Sequence, residues 1–279
     1  MIKKICFTVS LLLLIIFSSY ADSLADAGIE KMIGEVPDGY NFWLYTPPLK
    51  DGESEDEEKP LIIFLHGKSL CGTDLNKVRR YGTISAIEKG RNIDAFVIAP
   101  QNPGGAWNPD KIMQIVDYMV REYYVDANRI YALGMSLGGY GTLDLAAAYP
   151  DRIAAAIGMC GGATEKDLSG LAGMPVWIIH GTGDSAVPVS ASDKVARAVE
   201  QAREEGDINR LQYDRLPGKS HGILAKVFYR PEVYEWLMSH SLDQEGRPIS
   251  PTLTIDDDFF NSAYKGLDHS KGYKASKKQ

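Results

Sequence analysis

The chain has 279 residues, 44% hydrophobic and 24% charged, with a formal net charge of −7 and a pI near 5.3. That composition belongs to a globular protein with a sizeable core, and the length allows one large α/β domain without requiring a split. The acidic balance and the lack of a basic stripe exclude nucleic acid as an expected partner.

Residues 1–21 read as a secretory signal peptide. Lys3 and Lys4 form its positive end, Leu11 to Phe17 its apolar centre, and Ser19-Tyr20-Ala21 the small-residue cleavage site. The apolar stretch is short for a bilayer span. Cys6 precedes it, whereas a lipid anchor needs a cysteine just after it. The expectation is a secreted or periplasmic protein without a stable membrane anchor. Cys71 and Cys160 then either pair, as an oxidising compartment permits, or remain two separate, partly buried thiols.

Residues 22–40 read as an irregular or short helical lead-in. Tyr40 to Thr46 alternates bulky residues and reads as a strand closed by Pro47-Pro48. The acidic run from Lys50 to Lys59 is a solvated loop rather than a cation-binding one, because metal loops interleave their acids with turn residues at fixed offsets. Leu61 to Leu65 and Ala95 to Ala99 are short, continuous apolar runs ended by glycine or proline, the mark of buried parallel strands. Between them Asp74 to Glu88 reads as a helix. Pro103 to Asn108 is a loop, and Pro109 opens a helix that puts Ile112, Ile115, Val116, Met119 and Val120 on one face.

Arg129 to Leu133 is the next strand. It runs into Gly134-Met135-Ser136-Leu137-Gly138-Gly139, and an alanine-rich helix leaves to Tyr149. A G-x-S-x-G turn between strand and helix is a nucleophile elbow, which exposes a serine hydroxyl on a strained backbone. Ile153 to Met159 and Met174 to Ile179 are further strands, Pro188 to Arg203 a helix, and Arg210 to Leu216 the last strand. Ile223 to Phe228 is a helical turn and Glu232 to Ser239 a final helix. The catalytic domain spans 22–245. Residues 246–279 form an irregular extension with a frayed basic tail containing Lys271, Lys274, Lys277 and Lys278. Strands alternating with helices at this spacing imply a mostly parallel central sheet with helices on both faces, and ligands then sit beyond the carboxyl ends of the strands.

Ser136 needs a base, because a serine hydroxyl is a poor nucleophile at neutral pH. His221 lies in a turn-rich loop, Pro217 to Gly222, after the last strand. His66 and His180 directly follow strands, and His66 suits loop bracing better than proton transfer. Asp184 begins the loop after His180-Gly181 and is the orienting acid; otherwise it caps the helix near Pro188, with Asp193 as runner-up. The order Ser136, Asp184, His221 is that of an α/β-hydrolase triad. The oxyanion is expected to take the backbone N–H of Leu137 and of Lys68, with Ser69 next, and losing one such donor costs about 100- to 1000-fold in turnover. Trp107 faces the same edge, where an indole either stacks on a sugar or aromatic acyl group or packs its loop down.

From about residue 60 to 240 the chain resembles the α/β-hydrolase fold. Within it, the chain is similar to the secreted esterases that include feruloyl and acetylxylan esterases, and to phospholipase/carboxylesterase-like and polyhydroxybutyrate-depolymerase-like proteins. The matching pieces are Leu65-His66-Gly67, Ala99-Pro100-Gln101, Gly134 to Gly139, His180 to Asp184 with Val187-Pro188, and Ser220-His221. The resemblance implies a serine esterase acting on a small-molecule or oligosaccharide ester, feruloyl ahead of acetyl, with no metal or organic cofactor. The chain departs at Lys68-Ser69-Leu70-Cys71-Gly72, where relatives carry a glycine- and charge-rich loop. A peptidase ranks below this reading, since no propeller or lid domain selects peptides. A non-catalytic binding protein ranks last, since such a protein loses a triad member.

Overall fold

A computed structural model describes residues 27–247 and 253–274. The expected signal peptide, Lys277 and Lys278 lie outside them. Eight strands, β1 (Ile29–Met32), β2 (Phe42–Tyr45), β3 (Lys59–Leu65), β4 (Phe96–Pro100), β5 (Val125–Met135), β6 (Ala155–Met159), β7 (Val176–Gly181) and β8 (Leu211–Leu216), form one sheet. Their order is β1-β2-β4-β3-β5-β6-β7-β8. β2 alone runs against both of its neighbours, and every pairing from β4 to β8 is parallel.

The continuous apolar runs are explained by burial on both faces. Ile62 and Phe64 of β3 join one core cluster, and Leu61, Ile63 and Leu65 join the other. Alternate side chains of a strand point to opposite faces, so a strand covered twice needs no polar positions. Helix α1 (Thr83–Glu88), the 3-10 segment His221–Tyr229, α5 (Pro231–Met238) and α6 (Asp257–Asn261) contribute to the first cluster. Helices α2 (Pro109–Glu122), α3 (Leu137–Ala148) and α4 (Ser190–Ala202) contribute to the second. Asn108 caps α2 by accepting the Lys111 N–H at 3.0 Å, with Pro109 in the first turn. Ile112, Met113, Ile115, Val116 and Met119 form its buried face. Among the described residues no helix is long and apolar enough to cross a membrane.

Three expectations change. The lead-in contains β1, whose Ile29 and Met32 alone are buried, too little pattern to read from sequence. The helix expected over Asp74–Glu88 is two pieces, a 3-10 segment Leu75–Arg80 and α1, separated at Tyr81-Gly82. Gly82 has φ +95°, and the Phe64 ring fills the space a Cβ would take, so the break between the two segments needs a glycine. The C-terminal stretch is not frayed over 253–274. Ile255, Phe259, Phe260, Ala263 and Leu267 are buried in the first cluster. The guanidinium of Arg230 lies 4.7 Å from the Phe259 ring, and Tyr229 packs on Tyr264 at 4.7 Å. The acidic run matches its reading: Asp51, Glu55, Asp56, Glu57 and Glu58 are exposed, while Glu53 pairs with Lys59 at 2.7 Å.

Candidate active site

Parallel strands place their carboxyl ends on one edge, and His66, Gln101, Ser136, Cys160, Asp184 and His221 all follow strands there. Ser136 stands between β5 and α3 with φ 62° and ψ −123°, a positive φ that costs a non-glycine residue about 1–3 kcal/mol. The surrounding backbone enforces it. A Cβ on Gly134 would strike the Gly138 carbonyl, one on Gly138 the Leu65 carbonyl, and one on Gly139 the Met159 carbonyl. The Ser136 N–H donates to Met159 O at 2.8 Å and its carbonyl accepts from Tyr140 N at 3.0 Å. Leu137 is the first residue of α3 and Lys68 the first of a 3-10 turn, so neither N–H has a partner within its own helix.

Asp184 and His221 are brought together. His221 Nδ1 lies 2.6 Å from Asp184 Oδ2, while Oδ1 accepts the N–H groups of Ala186 at 2.8 Å and Val187 at 2.9 Å. Turn-forming and orienting roles thus fall on different oxygens of one carboxylate. The Asp184 side chain is fully buried. Burial pushes its carboxyl up, but the Val187 N–H, the His221 ring and the Ala186 N–H outweigh it and leave it below the usual range. The two loops interlock: Gly183 N donates to Lys219 O at 3.1 Å, and Gly218 N to Thr182 Oγ1 at 2.8 Å. Asp193 is elsewhere, accepting from Tyr213 at 2.7 Å and Arg215 at 3.1 Å.

Cys160 links the halves of the site. It is buried, has φ 38°, and its thiol lies near the Ser136 backbone N–H. Its sulfur and the nearest ligand atoms of Asp184 and His221 lie within 4.8 Å of one another. Cys160 and Cys71 are both free thiols, and burial pushes the Cys160 thiol well up. Asp144, buried on α3, holds the loop after β6 by accepting from Thr164 N and Oγ1 at 2.6 Å each and Glu165 N at 3.0 Å.

His66 is a brace. Its Nε2 accepts the Asn102 N–H at 3.0 Å, so Nδ1 carries the proton and donates to Gly67 O at 2.9 Å. Burial lowers its pKa to about 4, against the Gly67 carbonyl, which raises it. Tyr81 was not among the sequence candidates. Its Oη accepts the Gly67 N–H at 2.8 Å and borders the same point as Ser136 Cβ. The only sequence signal was the Tyr-Gly pair that breaks the expected helix.

Of the two readings of Trp107, substrate contact and loop packing, the structure matches loop packing. Trp107 is 4% exposed, donates its indole N–H to His66 O at 3.2 Å, and stands edge-on to Tyr40 and His66. A Cβ on Gly141 of α3 would collide with it. A Trp at this site packs the loop onto the helix, and no ring face remains for a sugar.

The prolyl oligopeptidase family matches residues 95–164, the segment from β4 through the elbow to the loop after β6. Feruloyl esterase B of Thermothelomyces thermophilus is 26% identical over 78% of this chain and 76% of its own length. Acetylxylan esterase A of Emericella nidulans is 39% identical over 46% of this chain and 44% of its own. The crystal structure of a thermostable esterase superposes with a TM-score of 0.61 at 24% identity, covering 77% of this chain and 63% of that one. Sheet order, elbow and these similarities define an α/β-hydrolase fold. Both relatives are named as esterases, as is the superposed structure.

Proposed function

We propose that Ser136, His221 and Asp184 are the catalytic triad and that the esters cleaved are feruloyl or acetyl groups on plant polysaccharide or its oligosaccharides, outside the cytoplasm. The 2.6 Å bond from His221 to a buried Asp184, on the edge where the elbow exposes Ser136, carries the triad. The named activities of the two similar relatives support the substrate, and the basic, apolar and small-residue layout of residues 1–21 supports export.

In this mechanism His221 Nε2 takes the Ser136 proton as Oγ bonds to the ester carbonyl carbon. Asp184 keeps the ring proton on Nδ1 and stabilises the imidazolium. The Leu137 N–H and the Lys68 N–H receive the oxyanion; Gly67 is not a donor because its N–H is engaged by Tyr81. The carbon–alkoxide bond breaks, and the imidazolium returns its proton to the leaving alcohol. Water then loses a proton to His221 as its oxygen bonds to the acyl carbon; the carbon–Oγ bond breaks, the imidazolium returns the proton to Ser136 Oγ, and the acid leaves.

Ser136→Ala is expected to lose about 10⁶-fold in kcat on an aryl ester while keeping its fold by circular dichroism. Wild-type turnover in that variant would remove the triad. The substrate reading predicts faster cleavage of methyl ferulate or feruloylated arabinose than of phospholipids or peptide amides. The match to the prolyl oligopeptidase family favours peptide amides as the second reading, and a reversed preference in that panel would select it.

A further inference from the structure

The histidine next to the end of β7 is fully buried and lies against Asp184. His180 is 0% exposed. Its Nε2 lies 3.0 Å from Val187 O and 3.3 Å from Asp184 Oδ2. A carbonyl and an ionised carboxylate only accept, so Nε2 carries a proton. Nδ1 lies 2.7 Å from Ser192 Oγ, which itself lies 2.7 Å from Gly161 O. A neutral ring with its proton on Nε2 accepts at Nδ1, and the one Ser192 proton serves that nitrogen and the Gly161 carbonyl in turn. The opposite tautomer would set a bare nitrogen between two acceptors, so ring orientation and tautomer are both fixed. Burial lowers the His180 pKa, against the Val187 carbonyl and Asp184, which raise it.

We propose that His180 is a positioning residue for Asp184: its Nε2–H donates to the Val187 carbonyl and holds its partial positive charge 3.3 Å from the carboxylate oxygen that receives His221. This rests on the triad assigned above. Asp184 then takes three N–H hydrogen bonds, from Ala186 and Val187 on Oδ1 and from His221 on Oδ2, with the His180 N–H beside Oδ2 as a fourth, electrostatic contact. Together they fix its tilt and its rotation, and the His180 N–H stabilises charge on the oxygen that faces His221. The lock runs through three elements, because Ser192 belongs to α4 and Gly161 follows β6. The other charged groups nearby are engaged away from it. Arg215 pairs with His180 in the β7–β8 register, but its guanidinium lies on Asp193, and Lys219 turns to Asp257. Among the described residues, Asp184 and His221 are the titratable groups that act on His180, and the Cys160 thiol lies beside those two.

The test compares His180→Gln with His180→Phe in the full chain, counting competent sites by fluorophosphonate labelling of Ser136. A glutamine amide sets an N–H where the imidazole Nε2 was; phenylalanine sets none. The Phe variant is expected to lose about 10- to 100-fold in kcat per labelled site with KM unchanged. Its acid limb of kcat/KM should move up by about half a pH unit or more, since Asp184, without that N–H beside it, holds the imidazolium more tightly. The Gln variant should stay within about threefold of wild type with the wild-type limb. Equal behaviour of the two variants per labelled site, or an unmoved limb in the Phe variant, overturns the proposal. Absence of labelling in the wild-type protein would instead overturn the triad beneath it.

Discussion

The elbow that carries Ser136 and the loop that carries His221 sit on the same edge of the sheet and are held there differently. Around the elbow, backbone lies against backbone: Gly134, Gly138 and Gly139 approach carbonyls of Gly138, Leu65 and Met159 with no room for a methyl group. Ser136 keeps its unfavourable φ because those neighbours, on β3, β6 and α3, leave no alternative. The His221 loop is more open, with 23% of the His221 side chain exposed. Hydrogen bonds tie it to the Asp184 loop. On its far side Lys219 pairs with Asp257, and its ammonium lies 5.5 Å from the Phe260 ring. A nucleophile is thus placed by exclusion, and a base by a set of individually modest bonds. The first arrangement fails at a single methyl; the second yields by degrees.

The largest effect should follow from testing the elbow. Gly138→Ala drives a Cβ into the Leu65 carbonyl, and the expected loss exceeds about 4 kcal/mol in urea unfolding, with no active protein recovered. A soluble, active Gly138→Ala protein would break the contrast. Acid gives the next effect, on the flank of the elbow. The His66 ring is held neutral with a folded pKa of about 4, against about 6.5 when unfolded. Its contribution is complete above pH 6.5 and is lost as pH falls through 6.5 towards 4, amounting to about 3 kcal/mol. His180 and His240 shift in the same direction and add to the slope. Urea midpoints at pH 7 and pH 4.5 should therefore diverge, and diverge less in His66→Gln; an identical acid loss in that variant would count against the brace. Smallest is Lys219→Met. It removes an ion pair whose aspartate is largely exposed, and should cost under about 1 kcal/mol and a few-fold in kcat. A loss as large as that of the elbow variant would show the loop to be as unforgiving as the turn.

The residues legible in the sequence are those set by local pattern. Ser136, Asp184 and His221 each follow a strand closely, and a parallel sheet gathers strand ends. The continuous runs Leu61–Leu65 and Ala95–Ala99 declare strands covered on both faces. What escaped depends on contacts between distant residues. Tyr81 meets Gly67 across 14 positions, and His180 meets Ser192 across 12. Trp107 could be placed on the right edge but not turned the right way; Gly141, the glycine that makes room for it, sits in another helix. Phe259 and Phe260 follow three aspartates in a stretch without periodic pattern, so their burial could not be read locally.

Residues 253–274 also bear on when the enzyme becomes one. Synthesis runs from the amino end, so β1 to β8 and the elbow emerge first. The loop with His221 follows before Asp257 and Phe260 exist to flank it. Ribosome-bound chains halted before Ile255 would already display Ser136, while Lys219 would still await its partners. Maturation of the base would then trail that of the nucleophile, and residues 253–274 would be among those that finish the site.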